Sequence, residues 1–182
     1  MKANKQVLDR NGHTPWDVST ATYDEKSKYV GGQEVTPMGV SFKPDGTKMY
    51  IVGVATDTVY QYSLSTPWDV STATYDEKSK DVSGQDTAPR GIFFKPDGTK
   101  MYVMGVANNT VYQYSFSTPW DVSTATYDEK SKDVSGQEGY PRGIFFKPDG
   151  TKMYVMGTIT DTVYQYSLPV VAVGRSFGFI IG

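Results

Sequence analysis

The segment TPWDVSTATYDEKSK occurs three times without change, beginning at Thr14, Thr66 and Thr118. The copies are spaced 52 residues apart, and the second and third 52-residue units differ at only nine positions. A period of about 50 residues is typical of propeller blades and other repeat arrays. We therefore expect a stack of near-identical units, in which each unit buries its apolar faces against its neighbours.

Each unit contains apolar runs separated by turn sequences. In the second unit, residues 91–94 and 101–106 are apolar and are joined by the sequence KPDG followed by Thr-Lys. Pro presets φ for a turn and Gly takes the positive φ that closes it, so this pattern predicts a hairpin. After a second short turn, residues 110–116 form a third run. We predict that these runs are antiparallel strands A, B and C, and that the polar stretch 127–134 contains a fourth strand, D.

The distribution of apolar side chains within a unit predicts the architecture. Along strand B, Met101 and Val103 point to one face of the sheet. Tyr102 and Met104 point to the other face, so both faces must be covered. Strand D instead carries Lys, Asp and Glu, which protect an exposed sheet edge. The predicted fold class is all-β, with stacked β-propeller blades of four antiparallel strands.

The segment PRGIFFKPDGTKMYVMGVANNTVYQYS, residues 89–115, resembles the repeat of YVTN-type β-propellers, and similar segments occupy residues 37–63 and 141–167. The shared features are the Pro-x-Gly start, the Pro-Asp-Gly turn and the Asn-Thr-Val strand. The resemblance implies a propeller fold. It implies no particular activity, because this large family has no common enzymatic function.

The order of the predicted strands is D, ABC-D, ABC-D, ABC. We accordingly divide the chain into an N-terminal segment with a D-type strand (1–30), three propeller repeats (31–169) and an apolar C-terminal tail (170–182). The tail has three interpretations: packing or strand pairing at a junction between chains, a docking peptide for a partner, or a disordered segment.

Three blades are fewer than the four to eight of typical closed propellers. The chain itself is the predicted partner, because the N-terminal D strand of one copy can complete the third blade of the next. A homodimer would form a six-bladed ring, and a homotrimer, the second choice, a nine-bladed ring.

Composition narrows the possible chemistry. Lys and Arg total 18 and Asp and Glu total 20, a net charge of −2, so neither nucleic acid nor a membrane is an expected partner. The chain has no Cys, and its one His is His13. We therefore predict no metal site and no cofactor. No signal peptide is predicted, and a cytoplasmic location is the default expectation.

Trp16, Trp68 and Trp120 recur once in each repeat, within the motif Thr-Pro-Trp-Asp-Val-Ser. A Trp-Asp pair at an accessible edge can stack on a sugar ring and accept hydrogen bonds from its hydroxyls. The alternative is structural: Trp covers the edge of the sheet while Asp caps a turn.

Seven of the nine differences between the second and third units lie in the D-to-A and B-to-C connections. In propellers of the resembled family these connections share one face, commonly called the top. The candidate binding residues there are Arg90 and Arg142 for an anion, Tyr140 for stacking, and the neighbouring Asp86 and Glu138. The alternative is relaxed selection in surface loops, with the Arg side chains paired to Asp86 or Glu138.

The lack of catalytic groups leads to the prediction that this chain is not an enzyme. We expect a non-catalytic, self-assembling propeller that binds a protein or glycan ligand on its top face. The alternatives are a purely structural or engineered symmetric propeller without a ligand, and a lectin-like propeller. An enzyme such as a propeller hydrolase or lactonase is not expected, because it would need a metal or an acid/base cluster in the channel.

Overall fold

A computed structural model of the protein describes residues 17–168. The strands are β1 (Pro37–Phe42), β2 (Lys48–Gly53), β3 (Thr58–Leu64), β4 (Ala73–Asp81), β5 (Pro89–Phe94), β6 (Lys100–Gly105), β7 (Thr110–Phe116), β8 (Ala125–Asp133), β9 (Pro141–Phe146), β10 (Lys152–Gly157) and β11 (Val163–Ser167). Three one-turn 3-10 helices lie at Val18–Thr20, Val70–Thr72 and Val122–Thr124.

The strands form three antiparallel sheets in a propeller-like arrangement. Blade 1 has the order β1-β2-β3-β4 and blade 2 the order β5-β6-β7-β8, whereas blade 3 consists of β9, β10 and β11. The predicted all-β fold of antiparallel, four-stranded sheets is thus confirmed. Closure into a ring stays a prediction.

The A-to-B hairpin forms as the KPDG sequence predicts. In blade 2, the N–H of Gly98 donates to the carbonyl of Lys95 over 2.8 Å, and Gly98 has φ of +73°. Asp97 accepts a hydrogen bond from the N–H of Thr99. A type I turn followed by a left-handed residue matches the twist of the flanking strands, which accounts for Gly at this position.

The core lies between successive blades. Tyr50, Val103 and Tyr114 are fully buried in one cluster between blades 1 and 2. The first strands of the blades, β1, β5 and β9, pack side by side, so they form the innermost layer. Gly91 allows this approach, because a Cβ there would lie only 3.0 Å from the carbonyl oxygen of Arg142. Within residues 17–168, no helix is long and apolar enough to cross a membrane.

Candidate functional site

A β-bulge opens the innermost strand of every blade. In blade 2, Pro89 pairs with Gly105 and Gly91 with Met104, which leaves Arg90 as the extra residue. The same irregularity leaves Met38 extra in blade 1 and Arg142 extra in blade 3. A bulge redirects the side chain of its extra residue and is common beside active sites. Each blade therefore has one residue that is unpaired in the hydrogen-bond ladder, and these residues lie at the same end of the innermost layer.

Two of these residues, Arg90 and Arg142, lie close to the ring of Tyr140, and together with Tyr140 and Met38 they form what we call the Arg-Tyr cluster. The guanidinium carbon of Arg142 is 4.8 Å from the ring centre of Tyr140, and that of Arg90 is 5.3 Å away. Arg90 Nη2 donates to the Tyr140 hydroxyl over 2.9 Å, and its Nη1 is 3.1 Å from the sulfur of Met38. Arg142 Nε donates to Thr158 over 3.5 Å. The cluster thus joins all three blades.

The cluster contains two positively charged side chains, Arg90 and Arg142. Within residues 17–168, neither Arg90 nor Arg142 forms an ion pair with a carboxylate. The Nε of Arg90 is buried and has no hydrogen-bond partner among the described residues, while Arg142 is exposed. Guanidinium groups bind carboxylate and phosphate through paired N–H donors. The arrangement is suited to an anionic ligand.

Asp86 and Glu138 do not pair with the arginines; they bind backbone groups of their own blades. Both carboxylates are buried and accept hydrogen bonds mainly from backbone N–H groups of the B-to-C connection. Glu138 also accepts the N–H of Tyr140 over 2.9 Å. Burial tends to raise the pKa of Glu138, but the hydrogen bonds from Thr160 and from the backbone outweigh it and hold that pKa below its ordinary value. These carboxylates hold Tyr140 and the adjoining loops in place and do not pair with the arginines.

Sequence reasoning overlooked the third member of this set, Glu34. It is fully buried and binds the N–H groups of Thr36, Ala55 and Thr56. The repeat contained the signal, since Glu34 lies 52 residues before Asp86 and follows a Gln in the same way.

Asp57 was also overlooked. It lies in the connection between β2 and β3, and its Oδ1 is buried without a hydrogen-bond partner in the described part of the chain. Its pKa is raised, chiefly by burial and further by the charges of Asp86, Asp81 and Glu34. Asp57 therefore adds a carboxyl with a raised pKa to the end of the blades at which the Arg-Tyr cluster lies.

The tryptophans lie at the other end of the strands. Trp120 packs over Gly98 in the A-to-B turn and stacks on Phe94, with 5.7 Å between ring centres. Trp68 packs over Gly46 in the same way but is 60% exposed. The structure does not bring either one to the Arg-Tyr cluster. Trp16 and His13 lie outside the described residues.

Comparisons with known proteins place the chain among lactonase propellers. The profile of the family described as "Lactonase, 7-bladed beta-propeller" matches residues 33–170. No curated protein sequence matches the chain significantly.

Solved structures show the same fold at low sequence identity. A candidate 6-phosphogluconolactonase from Bacteroides uniformis is 15% identical with a TM-score of 0.57, and the match covers 89% of this chain and 46% of that one. A second from Bacteroides fragilis is 16% identical with a TM-score of 0.56, covering 72% and 34%. A protein from Lactobacillus plantarum is 17% identical with a TM-score of 0.56, covering 73% and 38%. This chain spans less than half the length of each.

The family match corrects the functional prediction made from the sequence. A non-catalytic binding scaffold, with structural and lectin-like alternatives, is wrong, because the match is to a family of hydrolytic enzymes. The error arose because a chain with no Cys and a single His was taken to have no catalytic side chains. The match supports a β-propeller family but not the YVTN-type repeat in particular.

Proposed function

This chain belongs to the lactonase family of seven-bladed β-propellers, and we propose that it acts in the hydrolysis of a lactone that carries a negatively charged substituent. The observation that carries the proposal is the pair of arginines, Arg90 and Arg142, that lie beside Tyr140 and have no carboxylate partner among the described residues. Bulges direct both arginines from the innermost strands. Because the chain spans only part of its structural relatives, the activity is assigned to the assembled propeller.

Lactone hydrolysis makes limited demands on protein side chains. The oxygen of water bonds to the carbonyl carbon, the ring C–O bond breaks, and the ring oxygen takes a proton, which gives a hydroxy acid. Negative charge develops on the carbonyl oxygen in the transition state, and fixed N–H donors stabilise it. One guanidinium is suited to this role, while the other binds the anionic substituent.

Tyr140 is suited to orient the substrate. Its hydroxyl accepts a hydrogen bond from Arg90, so its own hydrogen can be donated to a ligand oxygen. The backbone N–H of Tyr140 is bound to Glu138 and its ring is held by both guanidinium groups. A rigid donor of this kind loses little freedom when the substrate binds.

The proposed substrate class is a sugar lactone with a phosphate or carboxylate group. Two of the structurally similar proteins are named as candidate 6-phosphogluconolactonases. At their level of identity the likeness supports the fold alone. The preference for an anionic lactone rests on the two positive charges of the cluster.

The test compares the rates at which the full-length protein hydrolyses 6-phosphoglucono-δ-lactone and glucono-δ-lactone. Each rate is measured from the acid that hydrolysis releases. Blade 1 indicates which substitution to make. Met38 is the repeat equivalent of Arg90 and Arg142, so the fold accepts Met at this position. For Arg90→Met and for Arg142→Met we expect kcat/KM for the phosphorylated lactone to fall roughly 100-fold, the scale for losing one oxyanion donor. The preference for this substrate over the neutral lactone should fall as well.

Lys80→Met is the matched control, because it removes the same charge from β4, the outermost strand of blade 1. It should leave both rates unchanged. An intact protein that hydrolyses neither lactone faster than buffer would contradict the proposal, as would full activity in the Arg90→Met and Arg142→Met double variant.

A further inference from the structure

Residues 17–36 share backbone features with the 3-10 turn and strand D of the complete blades, although no strand C lies beside them within the described residues. Glu25 has φ of 57°, and the equivalent residues of β4 and β8, Glu77 and Glu129, have 57° and 56°. Asp17 caps a 3-10 turn through the N–H of Ser19, as the equivalent Asp does in the other two copies. The segment therefore keeps the bulged shape of a strand D.

This segment also packs on blade 1 as each strand D packs on the blade that follows it. Lys26 forms an ion pair with Asp69 over 2.7 Å, which repeats the pair between Lys78 and Asp121 at the boundary of blades 1 and 2. The Tyr62 hydroxyl donates to Gln33 over 3.0 Å, as its equivalents in blades 2 and 3 donate to theirs. The segment therefore lies where the outer strand of a preceding blade would lie.

Within residues 17–168, blade 3 has no fourth strand. Gly46 and Gly98 are covered by Trp68 and Trp120, whereas the space around Gly150 is open. A cleft of about 500 Å³ lies between blades 2 and 3, and Val111, Gln113 and Lys130 are among the residues that line it. At the boundary of blades 1 and 2, the same place is filled by the 3-10 turn that contains Val122.

Val122 shows how the turn fits. It is fully buried, and its N–H donates to Oε1 of Gln61 over 3.0 Å. In the N-terminal segment the equivalent Val18 is 87% exposed. Gln113, which faces the cleft, is the repeat equivalent of Gln61. An exposed apolar turn, and an open cleft lined by the repeat equivalent of the residue that binds such a turn, are thus present at opposite ends of the blade array.

We propose that residues 17–29 of a second copy of this chain pair with β11 and complete blade 3. The sequence supports this occupant, because residues 14–28 are identical to the segments that fill the same position in blades 1 and 2. Transfer of the repeat register pairs Ser167 with Thr22 of the second copy, as Ser115 pairs with Thr126. Val18 of that copy then enters the cleft and donates to Gln113.

The charges are complementary in this register. Asp128 accepts hydrogen bonds from Lys100, Gln113 and Ser115 within blade 2. The equivalents are Lys152, Gln165 and Ser167 in blade 3, and Asp24 in the incoming segment. Lys130 meets Asp17 of the second copy, as Lys78 meets Asp121.

The two outer faces of the array are also apolar. Val40 and Trp68 are exposed on blade 1, and Phe145, Met156 and Val163 on blade 3. A head-to-tail contact covers both faces, and it closes when the rotation completes a circle. Two copies give six blades, within the four to eight of closed propellers but one fewer than the family description.

The test uses the absence of Cys in this chain. The full-length variant Thr22→Cys/Ser167→Cys is oxidised and analysed on a non-reducing gel, and the mass of the unmodified protein is measured by light scattering. We expect a covalent species of two chains that returns to one chain on reduction, and a solution mass of twice 20.1 kDa.

Two matched variants serve as controls. In Ser115→Cys/Thr126→Cys, the disulfide joins β7 to β8 within one chain. It should form, and the protein should still migrate as a single chain on the non-reducing gel. Thr126→Cys/Ser167→Cys places the same residue types in β8 and β11, which belong to different sheets, and should not crosslink efficiently.

Two outcomes would overturn the proposal. The first is a monomeric mass, and the second is no crosslink in Thr22→Cys/Ser167→Cys while the β7-β8 control forms. A ladder of open-ended oligomers, or a closed species of three chains, would retain the strand exchange and overturn the closed ring of six blades.

Discussion

The hydroxyl of Tyr50 in β2 donates a hydrogen bond to the backbone carbonyl of Trp120 over 2.9 Å, across the boundary between blades 1 and 2. The two rings are stacked, with 6.3 Å between their centres. Burial, with smaller contributions from the charges of Asp76, Asp121 and Asp45, raises the pKa of Tyr50, so its hydroxyl keeps the proton over the usual pH range. This contact joins a strand of one blade to the C-to-D connection of the next.

We expect Tyr50→Phe to lower the free energy of unfolding by about 1–2 kcal/mol, because the carbonyl of Trp120 loses its partner while the ring stays packed. Urea denaturation measures the change. Tyr60→Phe is the control, since the Tyr60 ring contacts Tyr75 but its hydroxyl has no hydrogen bond among the described residues. Equal losses in the two variants would show that the hydrogen bond between blades contributes nothing.

Gly98→Ala should be more destabilising than Gly150→Ala. Both glycines have nearly the same positive φ, +73° and +72°, so both variants incur a backbone strain of about 1–2 kcal/mol. At Gly98 the new methyl group would also collide with the indole of Trp120, whereas the space at Gly150 is open. Thermal unfolding at a protein concentration low enough to keep the chain monomeric should show a lower Tm for Gly98→Ala; identical Tm values would rule out the tryptophan contact as a constraint.

Stability should decrease in acid. Burial tends to raise the pKa of Asp128, but hydrogen bonds from Gln113, Ser115 and Lys100 outweigh it and lower that pKa below 3.8. A carboxylate with a lowered folded-state pKa contributes stability that is present above its ordinary pKa and is lost as pH falls through the lower value. The free energy of unfolding should therefore drop below about pH 4. Asp128→Asn should reduce this slope, and an unchanged pH profile would contradict the assignment.

Glu138→Gln should reduce lactone hydrolysis as well as stability. The carboxylate binds the N–H groups of Tyr140, Ile159 and Thr160 and the hydroxyl of Thr160. A Gln amide keeps one acceptor and loses the other, so Tyr140 becomes less well held and we expect a fall in kcat. Glu34→Gln in blade 1 is the control, because it breaks the same type of network beside Met38; comparable kcat values in the two variants would contradict the role of Glu138.

The local structure followed from the sequence because its causes are local. Proline and glycine in KPDG define the hairpin, and alternating apolar residues define strands with two covered faces. The 52-residue period then implied a stack of blades. The same period placed Tyr140 in a variable connection and Arg90 and Arg142 beside it, at the start of strand A.

Only the tertiary structure decided which of these residues meet. The bulge that redirects Arg90 depends on the register between β5 and β6. The contact between Arg90 and Tyr140 joins two blades through residues that are 50 positions apart in sequence. Asp86 and Glu138 looked like ligands because charge is visible in a sequence, whereas burial against backbone N–H groups is not. The sequence by itself therefore determined the repeating sheet and its turns, which depend on neighbouring residues. The Arg-Tyr cluster depends on side chains that converge from separate blades, and only the tertiary structure brings them together.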